Sequence, residues 1–260
     1  MRVLRLVVLT SLRDVARCDK NGQMVETKEG PRYMMGALEA LIRATSPGGN
    51  LHGLIEVVGV ITDDFPKDLD GYPAVPTTGK PWIHPLDLRG PDGRLIAELT
   101  VNIPSSFRSL PKSDEKGRMV AKERFERQVV EFMQGREADV LLSDHYMARI
   151  DWLWRWMPGM VLNIHPAVTL PGHQFSFCGK TPTQDAIDRA NREDGVRTGA
   201  TLHFVDAEID HGNPILWSQA TPVYATDQPQ ELRHRNYQTA KLPVLIDGLS
   251  HYARSLYTRT

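Results

Sequence analysis

The stretch Val161-Leu162-Asn163-Ile164-His165-Pro166 decides how this chain is read. An apolar run is broken by an amide and an imidazole two positions apart. In an extended strand that spacing puts Asn163 and His165 on the same side. Pro166 has no amide hydrogen and cannot serve a central strand, so the strand is expected to end there. Both polar groups then stand at the carboxyl end of a buried strand, the edge at which open α/β sheets bind ligands. Further on, the run from Thr198 to Gly212 reads as a second strand entering a tight acidic loop that contains Asp210.

Composition narrows the class. A chain of 260 residues fits one large α/β domain, or one domain with a small appendage, and can bury its own core. Lys+Arg number 31 against 32 Asp+Glu, a net charge of -1. No overall field therefore favours nucleic acid or an anionic membrane, although a local basic patch is still compatible with it. Two cysteines, Cys18 and Cys178, make neither a disulfide framework nor a zinc set, so no metal is expected. The run Leu6-Val7-Val8-Leu9 is too short for a signal peptide, and no run approaches a membrane span. The expectation is a soluble cytoplasmic protein with no nucleic-acid or membrane partner.

Apolar periodicity supplies the elements. Val3–Thr10 and Ile55–Thr62 read as buried parallel strands. Tyr33–Ala44 reads as a helix, with Pro31 in its first turn. Residues 63–118 are rich in proline, glycine and charge, and read as an insertion with strand pieces near 95–101. Val120–Gln134 reads as a helix, and Ala138–Ser143, Thr198–Val205 and Ile215–Val223 as strands. Asp227–Tyr257 reads as a final helix that Pro243 should kink or interrupt. The pattern predicts a Rossmann-like, open, mostly parallel α/β sheet with helices on both faces, with residues 1–260 as a single domain.

Two motifs in this order carry a resemblance. Asn163-Ile164-His165-Pro166, followed by Gly199-Ala200-Thr201, His203, Val205, Asp210, Gly212 and Pro214-Ile215, resembles the folate-dependent formyltransferase family. That family includes glycinamide ribonucleotide and methionyl-tRNA formyltransferases, formyltetrahydrofolate hydrolase and amine N-formyltransferases. The resemblance runs from about Ala138 to Ile215. It implies 10-formyltetrahydrofolate as co-substrate, no metal, and Asn163, His165 and Asp210 as catalytic residues. It also implies a pterin pocket lined by the Met147, Arg149, Ile150 turn and by Val161, Val205, Asp206 and Ala207.

Departures from the family pattern bear on the acceptor. Ala207 stands where an acidic residue is usual, and Thr169 interrupts the usual paired leucines after His165. Glycinamide ribonucleotide formyltransferases are expected to carry a glycine-rich turn after the first strand, where the backbone approaches a phosphate. Here Ser11–Gln23 has no glycine before Gly22. That stretch is either a longer surface loop or the mark of a different acceptor, and Arg13 or Arg17 could still bind an anion. The additional C-terminal domain of methionyl-tRNA formyltransferase and the regulatory domain of the hydrolases are not expected.

Formyl transfer needs a donor aimed at a developing oxyanion and a group that takes the amine's proton. Asn163 offers an amide donor, His165 a donor or charge, and Asp210 a base that acts on the imidazole or relays a proton. The same trio could by itself be a structural hydrogen-bond network at a strand end. The overall shape, with long loops before the catalytic strand, resembles the formyltransferases that modify N5-hydroxyornithine for siderophore assembly, and this resemblance implies N5-hydroxyornithine as the acceptor, whose hydroxylamine nitrogen is largely unprotonated near neutral pH. The alternatives are glycinamide ribonucleotide, water in a formyltetrahydrofolate hydrolase, and a folate-binding regulatory protein that has lost turnover.

Overall fold

The computed structural model describes residues 2–12, 20–27, 30–65, 84–85, 87–146 and 149–257. Nine strands are found among them: β1 Leu4–Thr10, β2 Gln23–Thr27, β3 Gly30–Met34, β4 Ile55–Thr62, β5 Thr100–Asn102, β6 Val140–Ser143, β7 Val161–His165, β8 Arg197–Phe204 and β9 Pro214–Pro222. Seven form one sheet in the order β5-β4-β1-β6-β7-β8-β9, and β2 and β3 form a separate antiparallel hairpin. From β5 to β7 the pairings are parallel. The β7–β8 and β8–β9 pairings are antiparallel.

Alternation along β1 shows why both faces are covered. Leu6 and Val8 join Leu142, Leu162 and Leu202 in a core under α1 (Ala37–Thr45) and α7 (Leu242–Tyr257). Val7 and Leu9 join Leu141 and Val161 against Phe125, Val129 and Met133. Those three belong to α3 (Glu115–Gly135), which follows the short α2 (Ile96–Leu99). Helix α3 lies close on the sheet because β4 offers Gly59. A Cβ there would stand 2.6 Å from the Phe132 ring. Three further helices, α4 (Leu153–Trp156), α5 (Pro182–Ala190) and α6 (Pro229–Asn236), fill the connections.

The open, mostly parallel sheet with helices on both faces is as expected, as is a break in the final helix, and two elements differ. Tyr33 and Met34 lie in strand β3, and the helix starts only at Ala37. Pro31 therefore sits in the hairpin. Pairing with β2 outweighs the helical spacing there, and the Tyr33 hydroxyl reaches Glu39 of α1 at 2.7 Å. Residues 95–101 divide between α2 and β5. The final helix is interrupted one turn before Pro243, as a π turn over Tyr237–Lys241. The proline ring has no N–H for the Thr239 carbonyl and crowds it, so the turn ahead of it widens.

Candidate active site

Strand β7 delivers its two polar side chains as the alternation requires. In β8, His203 pairs directly with Asn163 and Thr201 with His165. Opposed residues share a face, so His203 stands beside the Asn163 amide. Its Nδ1 lies 2.9 Å from the Phe204 carbonyl and its Nε2 3.1 Å from the Asn163 amide nitrogen. A carbonyl only accepts, so Nδ1 donates to it. Nε2 is then an acceptor and must face the Asn163 NH2. Burial lowers the His203 pKa against the opposing pull of the Phe204 carbonyl and Asp210, so the ring is neutral at physiological pH. This contact fixes the orientation of the Asn163 amide, leaving its second hydrogen and its oxygen uncommitted to His203.

The chain leaves β8 beside the start of β7, where the Val205 amide donates to the Val161 carbonyl. It then folds back along the sheet to bring Asp210 to the other end of β7. Gly212 allows this: a Cβ would stand 1.7 Å from the Phe204 carbonyl oxygen. Asp210 takes φ +59, a left-handed conformation that aspartate tolerates better than most residues. Its Oδ2 accepts from the Gly179 amide at 2.9 Å and its Oδ1 lies 3.4 Å from His165 Nδ1. His203 Nε2 is 3.9 Å from the same oxygen. Burial works to raise the Asp210 carboxyl. His165, the Gly179 amide and His203 together outweigh it and hold the group below the ordinary aspartate range.

His165 is engaged at both nitrogens. Its Nε2 donates to the Phe177 carbonyl at 3.0 Å, while Nδ1 faces Asp210. The backbone between Phe177 and Gly179 thus holds the imidazole through a carbonyl and the carboxylate through an amide. Phe177 itself is anchored in an apolar cluster with Ala167, Phe175, Ile187 and Val223. The structure therefore brings Asn163, His165 and Asp210 together and adds His203, Phe177 and Gly179. In the sequence, His203 is marked only as a position of the family motif, with no role attached to it, and the roles of two backbone groups have no sequence signal.

The expected pterin-side residues fall on two segments that meet. Arg149 donates to the Ala207 carbonyl at 3.0 Å, joining the turn after β6 to the loop after β8. Ile150 and Val161 are buried in one apolar cluster with Val205 packed against it. The Asp206 side chain accepts from the Glu208 amide. Met147 lies outside the described residues, as do Arg13, Arg17 and Cys18. Among the described residues no group of His, Cys, Asp and Glu could hold a metal ion, and no helix is long and apolar enough to cross a membrane.

A family model described as formyl transferase matches residues 95–247. The chain belongs to the formyl transferase family. Within that family it is similar to PvdF of pyoverdin biosynthesis, described as a structurally unique N10-formyltetrahydrofolate-dependent formyltransferase. The structural likeness has a TM-score of 0.84 at 29% identity, over 97% of this chain and 99% of that one. It is 35% identical over 115 residues to a formyltetrahydrofolate deformylase of Corynebacterium sp. (strain P-1), a match spanning 43% of this chain but only 36% of that protein. It is 29% identical over 146 residues to the phosphoribosylglycinamide formyltransferase of Bacillus subtilis (strain 168), covering 56% of this chain and 67% of that protein.

In this formyl transferase the His203 contact has a measurable consequence. His203→Phe keeps a ring of similar size but removes the acceptor that orients Asn163. It is expected to lower kcat by about ten- to a hundredfold through misplacement of the amide. Steady-state rates at saturating substrates check this, with donor binding measured alongside and expected to change little.

Proposed function

We propose that this protein transfers a formyl group from 10-formyltetrahydrofolate to a small amine, with N5-hydroxyornithine as the acceptor. The observation that carries the transfer reading is the meeting of Asn163, His165 and Asp210 at the end of β7, with His165 3.4 Å from Asp210. Bound 10-formyltetrahydrofolate supplies the electrophilic formyl carbon. Attack by an amine builds negative charge on the formyl oxygen and releases a proton. Asn163 turns its second amide hydrogen to that oxygen, while His203 keeps the amide in place. Asp210, ionised at physiological pH, takes up the proton and returns it to N10 as the bond from the formyl carbon to N10 breaks and tetrahydrofolate leaves. His165 stands next to the developing charge and touches the oxygen only on releasing the Phe177 carbonyl.

The donor set fits a formyl-bearing folate. An apolar floor of Ile150 and Val161 lies beneath two segments tied by Arg149 and Ala207. We assign Arg149, Ile150, Val161, Val205, Asp206 and Ala207, with Met147 of the same turn, to holding the pterin.

The acceptor reading rests on the end of β1. A phosphate cradle needs donors there turned outward. Instead Ser11 donates to Asp63 at 2.6 Å and the Leu12 amide donates to Asp64 at 2.8 Å. Both carboxylates are fully buried. Donors spent on carboxylates are not available to a phosphate. This favours an acceptor without a phosphate at that edge. The likeness to PvdF along nearly the whole chain supports the same reading. A competition assay tests it: hydroxyornithine and glycinamide ribonucleotide at equal concentration, with one formyl donor. Formylation of hydroxyornithine is expected to dominate. Robust formylation of glycinamide ribonucleotide without turnover of hydroxyornithine would overturn the assignment.

A further inference from the structure

A second polar cluster lies at the carboxyl edge of the sheet, and the chemistry above does not use it. Asp144 and His145 are the first two residues after β6, whose last residue, Ser143, pairs with Asn163. From the opposite side the π turn contributes Tyr237 and Lys241. Lys241 is 0% exposed, and its ammonium donates to Asp144 Oδ1 at 2.7 Å and to the Tyr237 hydroxyl at 3.0 Å. It also lies 3.1 Å from His145 Nε2, which is hydrogen-bonded to the Tyr237 hydroxyl as well. The His145 and Tyr237 rings are stacked, with interplanar angle 15°.

A buried ion pair is weak support for stability, since apolar residues of the same volume often serve as well or better. Its use here is positional. His145 takes φ +59, a left-handed conformation uncommon outside glycine, at the point where the chain turns out of β6. Just before it, the Asp144 amide is held by the Leu9 carbonyl. Just after it, Tyr146 is stacked on Phe125. The turn that follows carries Arg149 and Ile150. The widened π turn is what sets Tyr237 and Lys241 against both residues, and such turns recur at functional sites. The β2–β3 hairpin closes the junction, with Val25 and Met34 packed on Tyr237.

We propose that Lys241, Tyr237, Asp144 and His145 form a positioning device for the turn after β6, and thereby set affinity for the folate. They act through Arg149 and Ile150 and do not touch the reacting atoms. This rests on the reading of that turn as the folate side of the site. Lys241→Met leaves the buried Asp144 with only His145 beside it, 3.6 Å away, so the double variant Lys241→Met/Asp144→Asn is the decisive one. It removes both charges together and is expected to recover the melting temperature lost in the single variant. A purely structural role would restore folate binding with it. A positioning role leaves binding of 10-formyltetrahydrofolate weakened about tenfold or more, with the acceptor KM changing less than twofold.

Tyr237→Phe and His145→Gly provide variants that fold independently of the charge pair. Glycine adopts φ +59 without strain, so His145→Gly relaxes the backbone while releasing the turn. Both are expected to weaken folate binding by calorimetry. If the stable double variant, Tyr237→Phe and His145→Gly all bind folate as the wild type does, the proposal is wrong. It is equally wrong if the acceptor KM rises instead. Wild-type protein that binds no folate at all would overturn the functional reading itself, an outcome seen before any variant is made.

Discussion

Asn163→Ala is expected to lower kcat/KM for formyl transfer by about 10²–10³, the loss typical of one oxyanion donor, or about 3–4 kcal/mol. The fall is expected in kcat, with little change in folate binding, because the amide matters when charge develops on the formyl oxygen. The protein should remain folded. Asn163 is partly exposed, and its truncation leaves His203 still bonded to the Phe204 carbonyl. Single-turnover rates with wild-type and variant protein give the number directly. A rate within threefold of wild type would remove Asn163 from the chemistry and leave the hydrogen-bond network as architecture only.

Asp210→Asn is expected to cost about 10²–10⁴ in rate, the usual contribution of a positioned general base. Asn retains the shape of the aspartate, so the Gly179 amide and His165 keep a neighbour, while the carboxylate that accepts the proton is lost. Stability provides a second reading with a definite sign. The folded-state pKa of Asp210 is depressed, so its ionised form stabilises the fold at pH values above the unfolded value of about 3.9. That contribution is lost as pH falls through the lower folded-state value. The stability difference between wild type and Asp210→Asn should therefore be greatest near neutrality and shrink below about pH 4. Denaturant titrations across that range test it. A difference that grows towards acid would mean that burial, and not His165 and Gly179, controls the carboxylate.

The sequence alone carries more of the site than of its surroundings. Asn163 and His165 are legible because strand alternation and Pro166 fix both their side and their end of the sheet. Asp210 is visible only through the family motif. Its approach to His165 depends on Gly212 packing on the Phe204 carbonyl, and no local pattern encodes that backbone contact. The same limit hides Phe177 and Gly179, which act through main-chain groups and could carry other side chains. The parallel strands are plain from their apolar runs. Helical spacing over Tyr33–Ala44 misleads because the β2–β3 pairing claims Tyr33 and Met34, and that pairing lies between segments of ordinary polarity. The effect of Pro243 is foreseeable as a break, but its form is not. Only the structure shows that the widened turn aims Tyr237 and Lys241 at the end of β6.

The central claim is that this site passes a formyl group to an amine and does not release it to water. It is tested most directly by following deformylated folate by absorbance, with purified protein and 10-formyltetrahydrofolate, in the absence and presence of N5-hydroxyornithine. Negligible turnover is expected without the amine, and with it one formylated hydroxyornithine per folate released. Turnover at the same rate without any amine, with formate as product, would contradict it and make the protein a hydrolase.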